Sequence, residues 1–308
     1  MLATFVCITV QSVCWCYMPR HNKNIPLNTM DNNLGQGISI DRIRIKKSDF
    51  KTVRHYEAAT QSHRDEGHTF HIVEKGYVLI EIDFQKYEIT APSVVYMHPN
   101  QVHRILDFNN MTVCSLSIKS EHVNRNYLEF LEEITPARPL VLARETHSIV
   151  STTFSLCSTF SALGGRNQLH FPLLKDSCNV LIAFLVSQFL ERNSAGNNFS
   201  RSEAIYRSFR QLLEKNYRTS KRPNTYAKKL NISTPYLNEC IRNATGHSVS
   251  QHIQNRIILE AKRLLCHTDK SVKEIAFDLG YEDYPYFSRV FTKATGMSAL
   301  AFRTQNYD

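Results

Sequence analysis

Apolar residues change their spacing along this chain of 308 residues. In the first half they fall in short, partly alternating runs, the period that puts successive side chains on opposite faces of a strand. The runs are Gly76–Phe84, Gln85–Thr90, Ser93–Pro99 and a stretch over 111–118. With close turns and no intervening helix, they predict an antiparallel barrel or sandwich. Helical spacing then takes over. It is carried by Val123, Tyr127, Leu128, Leu131 and Ile134 within 121–134, and by Leu173, Leu174, Val180, Leu181, Phe184, Leu185, Phe189 and Leu190 within 170–191. The second stripe is wide, which suits either a dimerisation helix or a helix packed on its own barrel. A polar, turn-rich stretch, Asn193-Ser194-Ala195-Gly196-Asn197-Asn198, marks a linker over 193–200. The expected domains are therefore 30–192 and 201–308.

The C-terminal third opens with a helix at 203–216, apolar at Ile205, Phe209, Leu212 and Leu213, and then repeats one pattern. Ala227 and Leu230 match Ala276 and Leu279. After one extra residue in the second turn, Pro235-Tyr236 matches Pro285-Tyr286, and Ala244-Thr245-Gly246 matches Ala294-Thr295-Gly296. Each copy predicts a short helix, a tight turn and a second helix. Ser233 and Asp283 stand where N-caps belong, and Pro235 and Pro285 fall in the first turn, where a missing N–H costs little. With Leu237 buried, 100° per residue places Tyr236, Cys240 and Ile241 near the core. Thr234, Pro235, Asn238, Glu239 and Arg242 then flank or face outward. In the second copy Phe287, Val290 and Phe291 point in, while Tyr284, Pro285, Ser288, Arg289 and Thr292 point out. These outward sets are the expected readers of bases and phosphates: Arg289 suits guanine, and Glu239 can accept from cytosine N4. Between the copies, 248–266 predicts a helix of 19 residues, about 28 Å long. That length brings two recognition helices near the ~34 Å spacing of successive major grooves.

Charge sharpens this picture. The chain carries a formal +9, and residues 201–308 hold 18 Lys and Arg against 10 Asp and Glu, a net +8. A basic surplus in that segment favours polyanions through phosphate contacts and counterion release, and the two repeated units point to double-stranded DNA. Eight cysteines without a C-x-x-C pair fit neither a disulfide framework nor a zinc finger, and point to a reducing, cytoplasmic setting. Residues 1–29 form a doubtful leader. The apolar run 2–18 has no preceding positive charge and no clean cleavage site, and Met30 is an alternative start. No membrane partner is expected.

Residues 203–303, above all A-K-R-L-L at 261–265 and S-V-K-E-I-A-F-D-L-G-Y-E-D-Y-P-Y-F-S-R-V-F-T-K-A-T-G at 271–296, resemble the AraC/XylS family of bacterial transcription regulators. The resemblance implies two helix-turn-helix units that bind promoter DNA, to activate or repress, with RNA polymerase a partner if the protein activates. Ala299 stands where the family usually has proline, and Pro285 is an unusual residue in the second recognition helix. The looser likeness of the N-terminal half is to cupin-like sensor and dimerisation domains, which implies a small-molecule effector and a homodimer. Pro99-Asn100-Gln101-Val102-His103 resembles their strand-turn-strand signature. His63, His68, His71, His98 and His103 cluster in this segment with Glu74, and His68, His71, Glu74, His98 and His103 are the candidate pocket residues. A cupin metal site has two histidines two apart on one strand face. His68 and His71, three apart, fall on opposite faces, so neither metal, cofactor nor catalytic residue is expected. The fold expected is α+β in two domains: a cupin-like antiparallel β-barrel followed by helices, then an all-α domain with two helix-turn-helix units joined by a linker helix. The competing readings are a metal-dependent cupin enzyme fused to a DNA-binding module and a ligand-independent dimeric DNA-binding protein.

Overall fold

The computed structural model describes residues 24–30, 37–47, 60–136, 138–163, 168–194 and 201–306. Most of the expected leader and the stretch 195–200 of the expected linker lie outside them. The N-terminal domain is built on β1 (Leu27–Asn28), β2 (Ile38–Ile45), β3 (Arg64–Asp65), β4 (His68–Ile82), β5 (Gln85–Thr90), β6 (Ser93–Met97), β7 (His103–Ile118) and β8 (Leu140–Val141). The main sheet runs β2-β7-β4-β6-β8, all antiparallel, with β5 added to β4; β1 and β3 form a separate parallel pair. The barrel is thus not closed by pairing among the described residues, and the sheet is open. Two strands are longer than the alternation indicated, β7 beginning at His103 and β4 at His68. A straight strand of β4's 15 residues would extend about 50 Å. Register shifts on either side of Lys75 bend it, and Gly76 sits there at φ 81°. The first half of β4 pairs with β6 and the second with β5.

Each sheet face has its own core. Phe70, Ile72, Tyr96, Leu116 and Ile118 meet α1 (Arg125–Ile134), α2 (Arg144–Ala162) and α3 (His170–Ser194) through Leu131, Val150, Phe154, Leu181 and Leu185. Val73, Val78, Ile80, Ile89, Val95, Met97 and Phe108 pack on the other face. In place of one helix over 121–134, a 3₁₀ turn at Ser120–His122 precedes α1, which starts where Asn124 accepts a hydrogen bond from the Asn126 N–H. The stretch His170–Arg192 within α3 is long and apolar enough to cross a membrane by length and composition, with 44% of its most apolar window buried inside the protein.

The C-terminal domain contains α4 (Arg201–Asn216), α5 (Pro223–Lys229), α6 (Thr234–Thr245), α7 (Val249–His267), α8 (Val272–Asp278), α9 (Tyr284–Thr295) and α10 (Ala299–Asn306). Their core joins Phe209, Tyr226, Leu237, Ile241, Ile257, Leu265, Ile275, Phe287 and Phe291. Helix α7 runs through the centre with eleven of its 19 residues buried.

The two domains meet along α7. The two-residue turn between β4 and β5, Asp83-Phe84, has both residues at positive φ (49° and 68°), the geometry of a hairpin turn matched to strand twist. Phe84 is a bulky residue for that region. Its ring packs against His267 and Phe302 of the C-terminal domain. The Asp83 carboxylate takes two hydrogen bonds of 2.7 Å from the Arg263 guanidinium and a third, of 3.2 Å, from the Val102 N–H. Val102 itself lies in the C-terminal core cluster. Glu260, 1% exposed, accepts from Arg64 at 2.9 and 3.0 Å, from Arg263 at 2.9 Å and from Arg256 at 3.3 Å. Burial opposes its ionisation, but the surrounding guanidiniums, Arg64 foremost, hold its carboxyl at about 2. A second seam joins α4 to α1, where Arg207 pairs with Glu133 and Arg210 donates to the Glu133 and Thr135 carbonyls.

Candidate nucleic-acid interface

Each recognition helix is defined by the same local chemistry. Ser233 and Asp283 are the N-caps of α6 and α9, accepting from the Tyr236 and Tyr286 N–H groups, and each helix has proline in its first turn. Gly246 and Gly296 end them at φ 76° and 79°, the left-handed conformation in which a side chain is strained. Leu237, Cys240 and Ile241 bury one face of α6, and Phe287 and Phe291 one face of α9. Because both helices anchor on α7 through one shared core, their opposite faces form the outer surface of the domain.

Pro235, Glu239 and Arg242 are exposed on α6, and Tyr284, Pro285, Arg289 and Thr292 on α9; Thr234 and Ser288 are half-buried. Asn238 is placed differently from a base reader. It is half-buried, its amide donating to the Thr234 carbonyl and accepting from the Val249 N–H at the start of α7. Two tyrosines add to the surface. Tyr286 is 52% exposed beside Arg289, whose guanidinium carbon lies 6.0 Å from the ring centre, and Arg201 stands over the half-buried Tyr236 at 5.8 Å. The spacing that put Tyr236 inside gave no sign of this, since a tyrosine at the margin of a stripe can lie on either side. Several basic residues of the domain are turned inward. Arg256 and Arg263 serve the buried network, and Arg303 donates to the Leu265 and Lys270 carbonyls. The cationic surface therefore falls to residues such as Arg242, Arg289 and Lys293, all exposed.

In the sensor domain, the five pocket candidates do not share one pocket. Alternation along β4 sends His68 toward the helices, where its ring nitrogens lie 2.8 Å from the Tyr96 hydroxyl and 3.0 Å from Ser120 Oγ. Burial, with the neighbouring His98 ring adding to it, lowers the His68 pKa to about 3. His98 accepts the Asn100 N–H on Nδ1, so Nε2 carries the proton donated to Glu132, 3.0 Å away. Glu74 is bound by Arg42 and by Ser151 of α2. On the other sheet face, His71 lies 2.7 Å from Ser115 Oγ on β7, and His103 is bridged by two backbone hydrogen bonds to His63. Asp65, which the sequence reading passed over, lies beside both, 4.0 Å from His63 Nε2 and 3.7 Å from His103 Nε2. The signal for it was the alternation His63-Arg64-Asp65, which sends the outer two residues to one face.

Comparison with known proteins agrees with this two-part construction. Residues 226–305 match the family model of a helix-turn-helix domain, and residues 48–116 that of an AraC-like ligand binding domain. The HTH-type transcriptional activator RhaR of Mannheimia succiniciproducens is 19% identical over 255 residues, covering 82% of this chain and 90% of that protein. The activator RhaS of Escherichia coli is 21% identical over 254 residues, covering 80% and 88%. Among solved structures, ToxT of Vibrio cholerae aligns over 89% of this chain and 100% of its own, at 12% identity and a TM-score of 0.41. With two capped helix-turn-helix units behind an effector-binding sheet domain, the chain belongs to the AraC/XylS family of sequence-specific, DNA-binding transcription regulators.

Proposed function

We propose that α6 and α9 enter successive major grooves of a promoter and that an effector held by the N-terminal domain sets how they are presented. The observation that carries this reading is the identical framing of the two helices, cap, early proline and left-handed glycine, at either end of the buried α7. Pro235, Glu239 and Arg242 on one helix, and Tyr284, Pro285, Arg289 and Thr292 on the other, are the contact residues, with Thr234 and Ser288 at their margins. Asn238 positions α6 against α7. The differing charges of Glu239 and Arg289 give the two half-sites different sequences. The relatives named as activators favour activation, with RNA polymerase as the partner.

Leu156, Leu173 and Val180 on α2 and α3 are 48%, 46% and 62% exposed, an apolar surface suited to a second copy of the chain. The domains divide at 193–200, the protein acts by binding rather than catalysis, and it works inside the cell, where its DNA is. Selection of bound sequences from random duplexes tests the reading. Enrichment of two dissimilar elements about one helical turn apart is expected. Recovery of duplexes without sequence preference refutes it.

A further inference from the structure

We propose that His63, Asp65 and His103 form a binding site for a divalent transition-metal ion behind the joint between the two domains. The sequence alone pointed away from metal, because it singled out His68 and His71. The structure gathers a different set. One donor atom each from His63, Asp65 and His103 lies within 4.8 Å of the other two, and all three residues are buried.

The distances suit an ion better than the protein alone. The separations of 4.0 and 3.7 Å between the imidazoles and the carboxylate are too long for hydrogen bonds. They are near the roughly 3.4 Å that separates two ligands each about 2.1 Å from a tetrahedral ion, so a small contraction completes the site. The tautomer of His63 is also fixed. Its Nδ1 lies 2.8 Å from the Gln61 carbonyl, which can only accept, so Nδ1 is the donor and Nε2 is the nitrogen turned toward the carboxylate. Backbone support of one ring nitrogen with the other left as donor is the usual outer arrangement of a metal-bound histidine. Asp65 is oriented in the same way, its Oδ1 accepting from the Asn28 amide at 3.0 Å. His71 interacts electrostatically with Asp65 and His63 from the same sheet face but stands outside the three-residue set. Two imidazoles and one carboxylate suit zinc, cobalt or ferrous ions rather than calcium or magnesium.

The site is wired to the DNA-binding domain by alternation. Between ligands His63 and Asp65, Arg64 points the other way and pairs with Glu260 of α7. Next to ligand His103, Val102 packs in the C-terminal core. Drawing the ligands onto an ion shifts the strands that hold both contacts, so occupancy changes DNA affinity. That consequence rests on the proposed function; the site itself does not.

The test is titration of the full-length chain, stripped with chelator, with cobalt(II). One equivalent is expected to give ligand-field absorption in the visible, which zinc then abolishes. Asp65→Asn and His103→Gln are each expected to weaken cobalt binding at least 10- to 100-fold, while His98→Gln, on the other sheet face, leaves it unchanged. Far-UV circular dichroism and melting curves establish that each variant folds, and the titration of the unaltered chain stands if one does not. Absence of stoichiometric cobalt or zinc uptake by the folded unaltered chain overturns the proposal, as does unchanged uptake by folded Asp65→Asn. Mobility shifts of the metal-free chain on selected DNA separate this outcome from any failure of the DNA-binding reading.

Discussion

Arg289 shows what one side chain on an exposed helix face can carry. Its guanidinium lies beside Tyr286, and on the proposed reading its two donors meet the O6 and N7 of a guanine. Arg289→Ala is expected to weaken specific DNA binding by roughly 1–3 kcal/mol and to relax preference at one base pair, measured by equilibrium binding to a panel of singly substituted sites. Equal losses on specific and random DNA make Arg289 a phosphate contact instead. The exposed face of each helix was legible because helical geometry alone assigns faces. Asn238 was not legible in the same way. Its angle on the helix points outward, but its amide reaches the Val249 N–H across the turn, and spacing within one helix says nothing of the next helix's start. The histidines failed for a related reason. Six residues with ligand chemistry, five histidines and Glu74, lie close in sequence, and strand alternation with a bend in β4 sorts them onto two faces.

The elements that the sequence marked best were those with chemical punctuation. Ser233, Asp283 and the Thr-Gly ends framed α6 and α9, and the observed helices begin and stop there. Gly296 is free of neighbours that a Cβ would strike, so Gly296→Ala tests backbone conformation alone. It is expected to lower stability by about 1 kcal/mol in urea unfolding, through strain at positive φ. A null effect would mean that the last turn of α9 frays without cost. Helix α2 was missed because Arg144–Ala162 is rich in serine and threonine, which compete with the helix for backbone partners. Here Thr153, Ser155 and Thr159 return their hydroxyls to carbonyls four residues back, and Val150, Phe154 and Cys157 bind the helix to the sheet. Tertiary burial, absent from any local window, decides that element.

At the scale of the whole molecule, the domain joint was beyond reach of sequence, since Asp83 and Arg263 are 180 positions apart. Its charges predict acid lability with a definite sign. Glu260 is held at about 2 against a reference of 4.5, so its contribution is complete above pH 4.5 and is lost as pH falls toward 2. His68 is held at about 3 against 6.5, and its contribution, present above pH 6.5, is lost as pH falls toward 3. Unfolding free energies should therefore decline below about pH 6.5 and more steeply below 4.5. Glu260→Gln should flatten the lower part of that profile and cost about 3–5 kcal/mol at pH 7, because the guanidiniums around it lose their counter-charge. An unchanged profile would show that the network is solvated. Helix α7, which anchors both recognition helices and takes Glu260 and Arg263 into the joint, has a further consequence for the promoter. If both recognition helices enter successive grooves as proposed, this connector, with eleven of its 19 residues buried, acts as a ruler and sets the phase of the two half-sites on the double helix. Five base pairs inserted between them turn the second half-site about half a turn away, onto the far side of the duplex. Such a site should bind no better than one half-site alone, whereas an insertion of ten base pairs restores the facing but exceeds the ruler's reach.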